Sequence, residues 1–163
     1  MLQHVEWKAS MRIAIASDHA GFLQKKPLKL FIEELGHTVY DLGPSTDDRC
    51  DYPDYADKVA RMVAAGDAER GVLICGTGLG MAITADKVKG IRAASVQTVK
   101  FAQLAREHNG ANIICLSGRF VSLSSNCEIV EMFLKTDFAG GRHAGRVAKI
   151  MYEDDPSFRG SAC

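Results

Sequence analysis

Five short apolar runs, separated by stretches whose hydrophobic residues recur at helical spacing, leave this chain few folds to choose from. RIAIA (Arg12 to Ala16), HTVYDL (His37 to Leu42), GVLIC (Gly71 to Cys75), IRAAS (Ile91 to Ser95) and NIICLS (Asn112 to Ser117) read as strands. Between the first two, Leu28, Phe31, Ile32 and Leu35 mark a helix that Gly36 ends. Pro27 is assigned to that helix's first turn, where its missing N–H costs nothing. PSTDDRCDYPDY (Pro44 to Tyr55) reads as a polar loop, and Ala56 to Ala65 as a helix closed by Gly66. Met81 to Lys87, Val99 to Glu107, and segments near Asn126 to Lys135 and Arg142 to Glu153 supply the remaining helices. Strands that alternate with helices pair in parallel through right-handed crossovers. The prediction is therefore an α/β protein, a three-layer α/β/α sandwich around a five-stranded parallel Rossmann-like sheet. In such sheets ligands bind outside the carboxyl ends of the strands.

A length of 163 residues suits one domain. That domain is placed at 11–153, with Met11 as its start, a disordered extension at 1–10 and a tail at 154–163. Twenty basic and twenty acidic residues cancel to a formal net charge of zero. The balance removes the electrostatic case for nucleic acid or a membrane surface as the main partner, whereas a small anion needs only a local basic cluster. MLQHVEWKAS lacks the apolar core of a secretion signal, and no run reaches membrane-spanning length. Cys50, Cys75, Cys115, Cys127 and Cys163 are odd in number and form no C-x-x-C pair. They point to a reducing cytoplasm rather than to a disulfide framework or a zinc knuckle. The histidines show no H-x-x-x-H spacing, so no metal is expected.

The run ending at Cys75 passes at once into Gly76, Thr77, Gly78, Leu79 and Gly80. Glycines leave backbone N–H groups uncovered, and a helix from Met81 would aim its positive end at the loop, so an anion can dock there. Cys75 is then a candidate base, with the Thr77 hydroxyl available to the thiolate or to a substrate oxygen. A helix terminus favours a neighbouring anion by only about 0.3–1 kcal/mol, so a working base needs further groups. Cys75 reads equally well as one more buried strand cysteine. The G-x-G-x-G spacing departs from the dinucleotide fingerprint G-x-G-x-x-G, the following region (Val88 to Gln103) holds no acid, and no P-loop pattern occurs. No nucleotide cofactor is expected.

Other residues reach the same predicted edge. Ser17-Asp18-His19 ends the first strand, Ser95 the fourth, and Ser117-Gly118-Arg119 the fifth. Asp18 and His19 suit acid-base work, and a cap on the first helix explains them as readily. His108 is read as close to the ligand edge and exchanges protons near neutral pH. A dipole-stabilised histidine followed by a left-handed Asn109-Gly110 cap is the structural alternative. Arg142 and Arg146, four apart behind a Gly140-Gly141 turn, would grip a phosphate or simply face solvent. Ala144, Val147, Ala148 and Met151 mark a separate packing stripe.

Six ordered motifs give these residues a common frame: SDHAGF (Ser17 to Phe22), DYPDYA (Asp51 to Ala56), ICGTGLGM (Ile74 to Met81), REHNGAN (Arg106 to Asn112), SGRF (Ser117 to Phe120) and GGRHAGRV (Gly140 to Val147). Over roughly 11–153 the chain resembles the type B ribose-5-phosphate isomerases, in the wider family with allose-6-phosphate and galactose-6-phosphate isomerases. The resemblance implies an aldose-ketose isomerase of the pentose phosphate pathway, converting ribose 5-phosphate to ribulose 5-phosphate through an enediolate without cofactor or metal. It assigns Cys75 as base with Thr77 beside it. Met81 stands where some relatives carry a glutamate. Gly76, Gly78, Leu79 and Gly80 match the loop that stabilises the enediolate, and His108 the residue that opens the sugar ring, with Asp18 as its partner. Asp18, His19, Tyr52 and Asn109 match substrate contacts, and Arg119, Arg142 and Arg146 phosphate ligands. The last two arginines would come from a partner subunit, which implies a homodimer, or a tetramer, with active sites at the subunit interface. A six-carbon substrate, and a sugar-phosphate-binding sensor module that does not turn its ligand over, stay open as alternatives.

Overall fold

All five apolar runs pair in parallel in the computed structural model, which describes residues 9–155 and 157. Of the extension and tail expected at 1–10 and 154–163, residues 1–8, 156 and 158–163 lie outside the described residues. The strands are β1 (Arg12–Ser17), β2 (Thr38–Asp41), β3 (Arg70–Cys75), β4 (Ala93–Ser95) and β5 (Ile113–Ser117), in the sheet order β2-β1-β3-β5-β4. The helices are α1 (Phe22–Glu34), α2 (Tyr52–Ala64), α3 (Leu79–Ala85), α4 (Val99–Asn109), α5 (Leu123–Lys135) and α6 (Arg142–Tyr152). The expected sandwich is present.

Helices cover both faces of the sheet, which is why β1, β3 and β5 are apolar at successive positions instead of alternating. One face sets Ile13, Ile15, Val72, Ile74, Ile114 and Leu116 against Leu28 and Ile32 of α1 and Ile129 and Phe133 of α5. The other sets Ala14, Ala16, Leu73, Cys75 and Cys115 against Ala56, Val59 and Ala60 of α2 and Met81 and Ala85 of α3. Small residues on both sides of this second contact let α2 lie close to β1. α6 differs from the other helices in burying no residue: Val147, Ala148 and Met151 of its expected packing stripe are half-buried, and Ala144 is exposed. Among the described residues no helix is long and apolar enough to cross a membrane.

Four helix starts differ from expectation, α3 beginning at Leu79 instead of Met81 and α5 at Leu123 instead of near Asn126. α2 begins at Tyr52, inside the segment read as a loop, because Asp51 adopts the extended N-cap geometry and Pro53 fits the first turn. α1 begins at Phe22, so Pro27 falls in its second turn and deprives the Leu23 carbonyl of its N–H partner. Leu23 is 82% exposed, and water can serve that carbonyl instead.

Candidate functional site

Register places the ends of three strands side by side. Ser17 pairs with Ile74 and Cys75 with Ser117, so Asp18, Cys75 and Gly118 emerge together at the carboxyl edge. Cys75 closes β3 with only 4% of its surface exposed, and its Sγ accepts the Gly78 N–H at 3.1 Å. The turn that makes this bond depends on Gly78, whose φ of +82° is unfavourable for residues with a Cβ. A Cβ there would also lie 2.8 Å from the Cys115 carbonyl oxygen and 3.0 Å from Ser95 Oγ. Thr77 Oγ1 accepts the Leu79 N–H at 3.2 Å, which leaves its own O–H to donate elsewhere. The N–H groups of Gly80 and Met81 follow in the first turn of α3, where no preceding carbonyl stands in helical register to accept them.

Neighbouring elements hold this loop from outside. The Gly76 carbonyl accepts the Ser117 hydroxyl at 2.8 Å and the Arg119 N–H at 3.3 Å. The Arg119 side chain runs along Gly76, its Cδ 3.5 Å from where a Cβ would be. On the other side the Tyr52 ring lies over Gly80 so closely that a Cβ would sit 2.6 Å from it. Asp18, 6% exposed, spends Oδ1 on the N–H groups of Ala20 and Gly21 at 2.9 and 3.1 Å, which fixes the entry to α1. Its Oδ2 carries neither of these bonds. His19 Nδ1 lies 3.1 Å from the Cys50 carbonyl. The Cys50 N–H also points at Nδ1, at 3.4 Å, so both backbone groups of Cys50 hold the ring in place.

His108 and Asn109 are not at this edge, contrary to expectation. Parallel pairing obliges α4 to return the chain to the start of β5, so a residue that closes α4 lies at the amino edge of the sheet. From Ile113 to Ser117, level with Cys75, β5 rises about 13 Å, and His108 precedes Ile113. The two groups cannot touch one small substrate within a single chain.

At the amino edge His108 meets α6. Its ring stacks on His143 with 4.2 Å between centroids and 14° between planes. Arg142 and Arg146, both exposed, flank His143 on α6, which enters through Gly140 and Gly141 at φ values of +62° and +54°. Burial, then His108, Arg142 and Arg146, lower the His143 pKa from its ordinary value, against an opposing contribution from Glu107. Arg92 clasps the two elements together. Its Nε donates to the Asn109 carbonyl at 3.0 Å, Nη2 to the Gly110 carbonyl at 2.9 Å, and Nη1 to Met151 Sδ at 2.9 Å. Beneath it Arg106, 5% exposed, donates to the Ala111 and Thr136 carbonyls, and burial lowers its pKa to about 10. His143 and Arg92 were not singled out from the sequence. The only signal was His143's place between Arg142 and Arg146.

A parallel open sheet with a thiol and a tight glycine turn at its carboxyl edge defines the ligand-binding α/β class. The sequence pattern of the Ribose/Galactose Isomerase family fits residues 13–150, and the chain belongs to that family. It is 42% identical over 139 residues to ribose-5-phosphate isomerase B of Escherichia coli, covering 85% of this chain and 93% of the relative. The crystal structure of ribose-5-phosphate isomerase B from Mycoplasma genitalium with bound ribulose 5-phosphate is similar at a TM-score of 0.86 and 48% identity, covering 91% of this chain and 99% of that one. The enzyme from Clostridium thermocellum gives a TM-score of 0.87 at 46% identity, covering 88% and 97%.

Proposed function

We propose that this chain is an aldose-ketose isomerase that interconverts ribose 5-phosphate and ribulose 5-phosphate, acting in the cytoplasm as a dimer whose sites each use two copies. The observation that carries the reading is Cys75 Sγ, fixed at the carboxyl edge by the Gly78 N–H, in a chain with Met81 where a carboxylate would otherwise compete. The M. genitalium relative with bound ribulose 5-phosphate supports the substrate. Cys50, Cys75, Cys115 and Cys127 are unpaired thiols, in keeping with a reducing compartment.

One copy supplies the chemistry. Asp18, His19, Tyr52, Thr77 and Arg119 surround the Cys75 loop and hold the sugar, with Arg119 toward its phosphate. The second copy supplies what lies at its own amino edge: His108, Asn109, Arg142 and Arg146. The separation of the two edges within one chain supports this division, and α6, with no buried residue, has a surface to give to a partner.

The reaction then runs in two stages. In ring opening the C1–O4 bond breaks as O1 loses its proton and O4 gains one, with His108 handling the transfer. In isomerisation Cys75 removes the C2 proton and the electron pair moves toward O1. The N–H groups at the start of α3 and the Thr77 hydroxyl stabilise the enediolate. O2 then loses its proton while O1 gains one, and the thiol returns its proton to C1. The phosphate, remote from C1 and C2, anchors the sugar so that both carbons stay against the base.

The test is an isomerase assay on ribose 5-phosphate, allose 6-phosphate and galactose 6-phosphate. A strong preference for the pentose is expected; preference for a hexose overturns the substrate, and binding without turnover overturns the enzyme. Mixing Cys75→Ala with His108→Ala chains tests the composite site. Each alone is nearly inactive, and random redimerisation regenerates one intact site in half of the dimers, hence roughly a quarter of wild-type activity. No recovery on mixing would remove His108 from the site that Cys75 serves.

A further inference from the structure

We propose that His143 is a positioning residue for His108: its imidazole, stacked on the His108 ring, fixes the plane in which His108 passes the ring-opening proton. The inference rests on the proposed ring-opening role of His108 and adds to it a residue which that role leaves unexplained. His108 closes a helix and is only partly buried, so its own packing leaves the ring free to turn about its side-chain bonds. A proton donor must sit within hydrogen-bond reach and point at one oxygen of the sugar. The 4.2 Å, 14° stack restricts that rotation.

The surroundings favour a neutral plate over a second cation. His108 and Glu107 face His143 from α4, and Arg142 and Arg146 face it from its own helix. One carboxylate does not offset two guanidiniums and burial, so His143 holds a proton less readily than a free imidazole. Neutral His143 stacks on His108 without repelling it when His108 takes up a proton. The Arg92 clasp from Asn109 and Gly110 to Met151 keeps α4 and α6 at the spacing the stack needs. His143 thus connects the arginines proposed to grip the phosphate with the histidine proposed to open the ring.

Two assays on the full-length dimer separate this role from general damage. Turnover of ribose 5-phosphate requires ring opening, whereas deuterium wash-in at C1 of ribulose 5-phosphate, an open-chain ketose, requires only the thiol chemistry. His143→Ala is expected to lower kcat/KM for ribose 5-phosphate about tenfold more than it lowers wash-in, mainly through kcat. His143→Phe, which keeps a flat ring without a titratable nitrogen, is expected to restore most of that loss. The Phe variant should also hold its activity better than wild type as the pH falls below 6, because no imidazolium then forms in the stack. Equal losses in both assays, no loss in either, or a Phe variant no better than Ala would overturn the proposal. His108→Ala serves as the control. If its loss is not selective for the cyclic sugar, the ring-opening role falls and takes this inference with it. If His108→Ala is selective and His143→Ala is not, only the inference falls.

Discussion

The two edges of the sheet are built on opposite plans. At the carboxyl edge the Cys75 loop is enclosed by β1, β5 and α2, and most of its polar groups are already bonded to backbone or to a neighbouring strand's side chain. At the amino edge His108, Arg142 and Arg146 sit at helix ends and on a helix outside the core, held by one arginine and one ring stack. Bond-making chemistry needs atoms fixed to fractions of an ångström, and the first plan provides that. A grip on a phosphate tolerates more play because charge attraction varies slowly with distance. The second plan is sufficient for it, and His108, which must be aimed, has the His143 stack in addition.

Substitutions that separate these plans can be ranked. The largest effect is expected from Cys75→Ala, which should lower kcat by roughly 10²–10⁴-fold with detectable sugar-phosphate binding and a loss of stability of about 1 kcal/mol from the Gly78 N–H left without its acceptor. Substantial remaining turnover would move the base elsewhere and end the distinction between the edges. Gly78→Ala should damage both fold and activity. The forced φ and the approach to the Cys115 carbonyl cost about 1–3 kcal/mol, and chemical denaturation should read this as a lower midpoint. At the amino edge, Arg142→Ala or Arg146→Ala should raise KM for ribose 5-phosphate about tenfold or more and leave the unfolding midpoint within about 0.5 kcal/mol. A large loss of stability would show that α6 is part of the core after all.

Arg92→Ala should act between these extremes. It leaves the Asn109 and Gly110 carbonyls without their donor, costs about 1–2 kcal/mol of stability, and lowers activity by loosening both His108 and α6. Arg92→Lys should recover part of the stability and little of the activity, because one ammonium cannot reproduce three diverging bonds. The smallest effect is on pH. Burial lowers the His37 pKa while its Nδ1 accepts the Met11 N–H at 3.2 Å. The unfolded chain therefore binds that proton more readily, so the contribution is complete above about pH 6.5 and declines as the pH falls through the depressed folded value. Denaturation midpoints at pH 7.5 and 5.5 should differ by about 1 kcal/mol or less from this source, and His37→Gln should flatten that difference.

The carboxyl edge was more legible in the sequence than the amino edge, for reasons that follow from the same contrast. Apolar runs report burial directly, and a thiol followed by alternating glycines at a strand end reports a turn with exposed N–H groups. The α2 start was hidden because Asp51, Tyr52 and Pro53 look like a polar loop until the chain's entry angle is known. The sequence does not show the edge at which His108 lies, because a helix end adjacent in sequence to a strand gives no sign of which end of the sheet it meets; only the parallel pairing of β4 with β5 decides that. The His108–His143 contact joins residues 35 positions apart, and nothing in local spacing reports that α6 lies along α4.

A helix with no buried residue is also nearly free of obligations to the fold. Substitutions at Arg142, His143 and Arg146 would be judged by substrate and partner, whereas changes around Cys75 must first satisfy the core. Selection can therefore retune which phosphorylated sugar is admitted without reopening the question of whether the chain folds. A lineage could drift from five-carbon to six-carbon substrates along α6 while inheriting its proton-transfer chemistry unaltered.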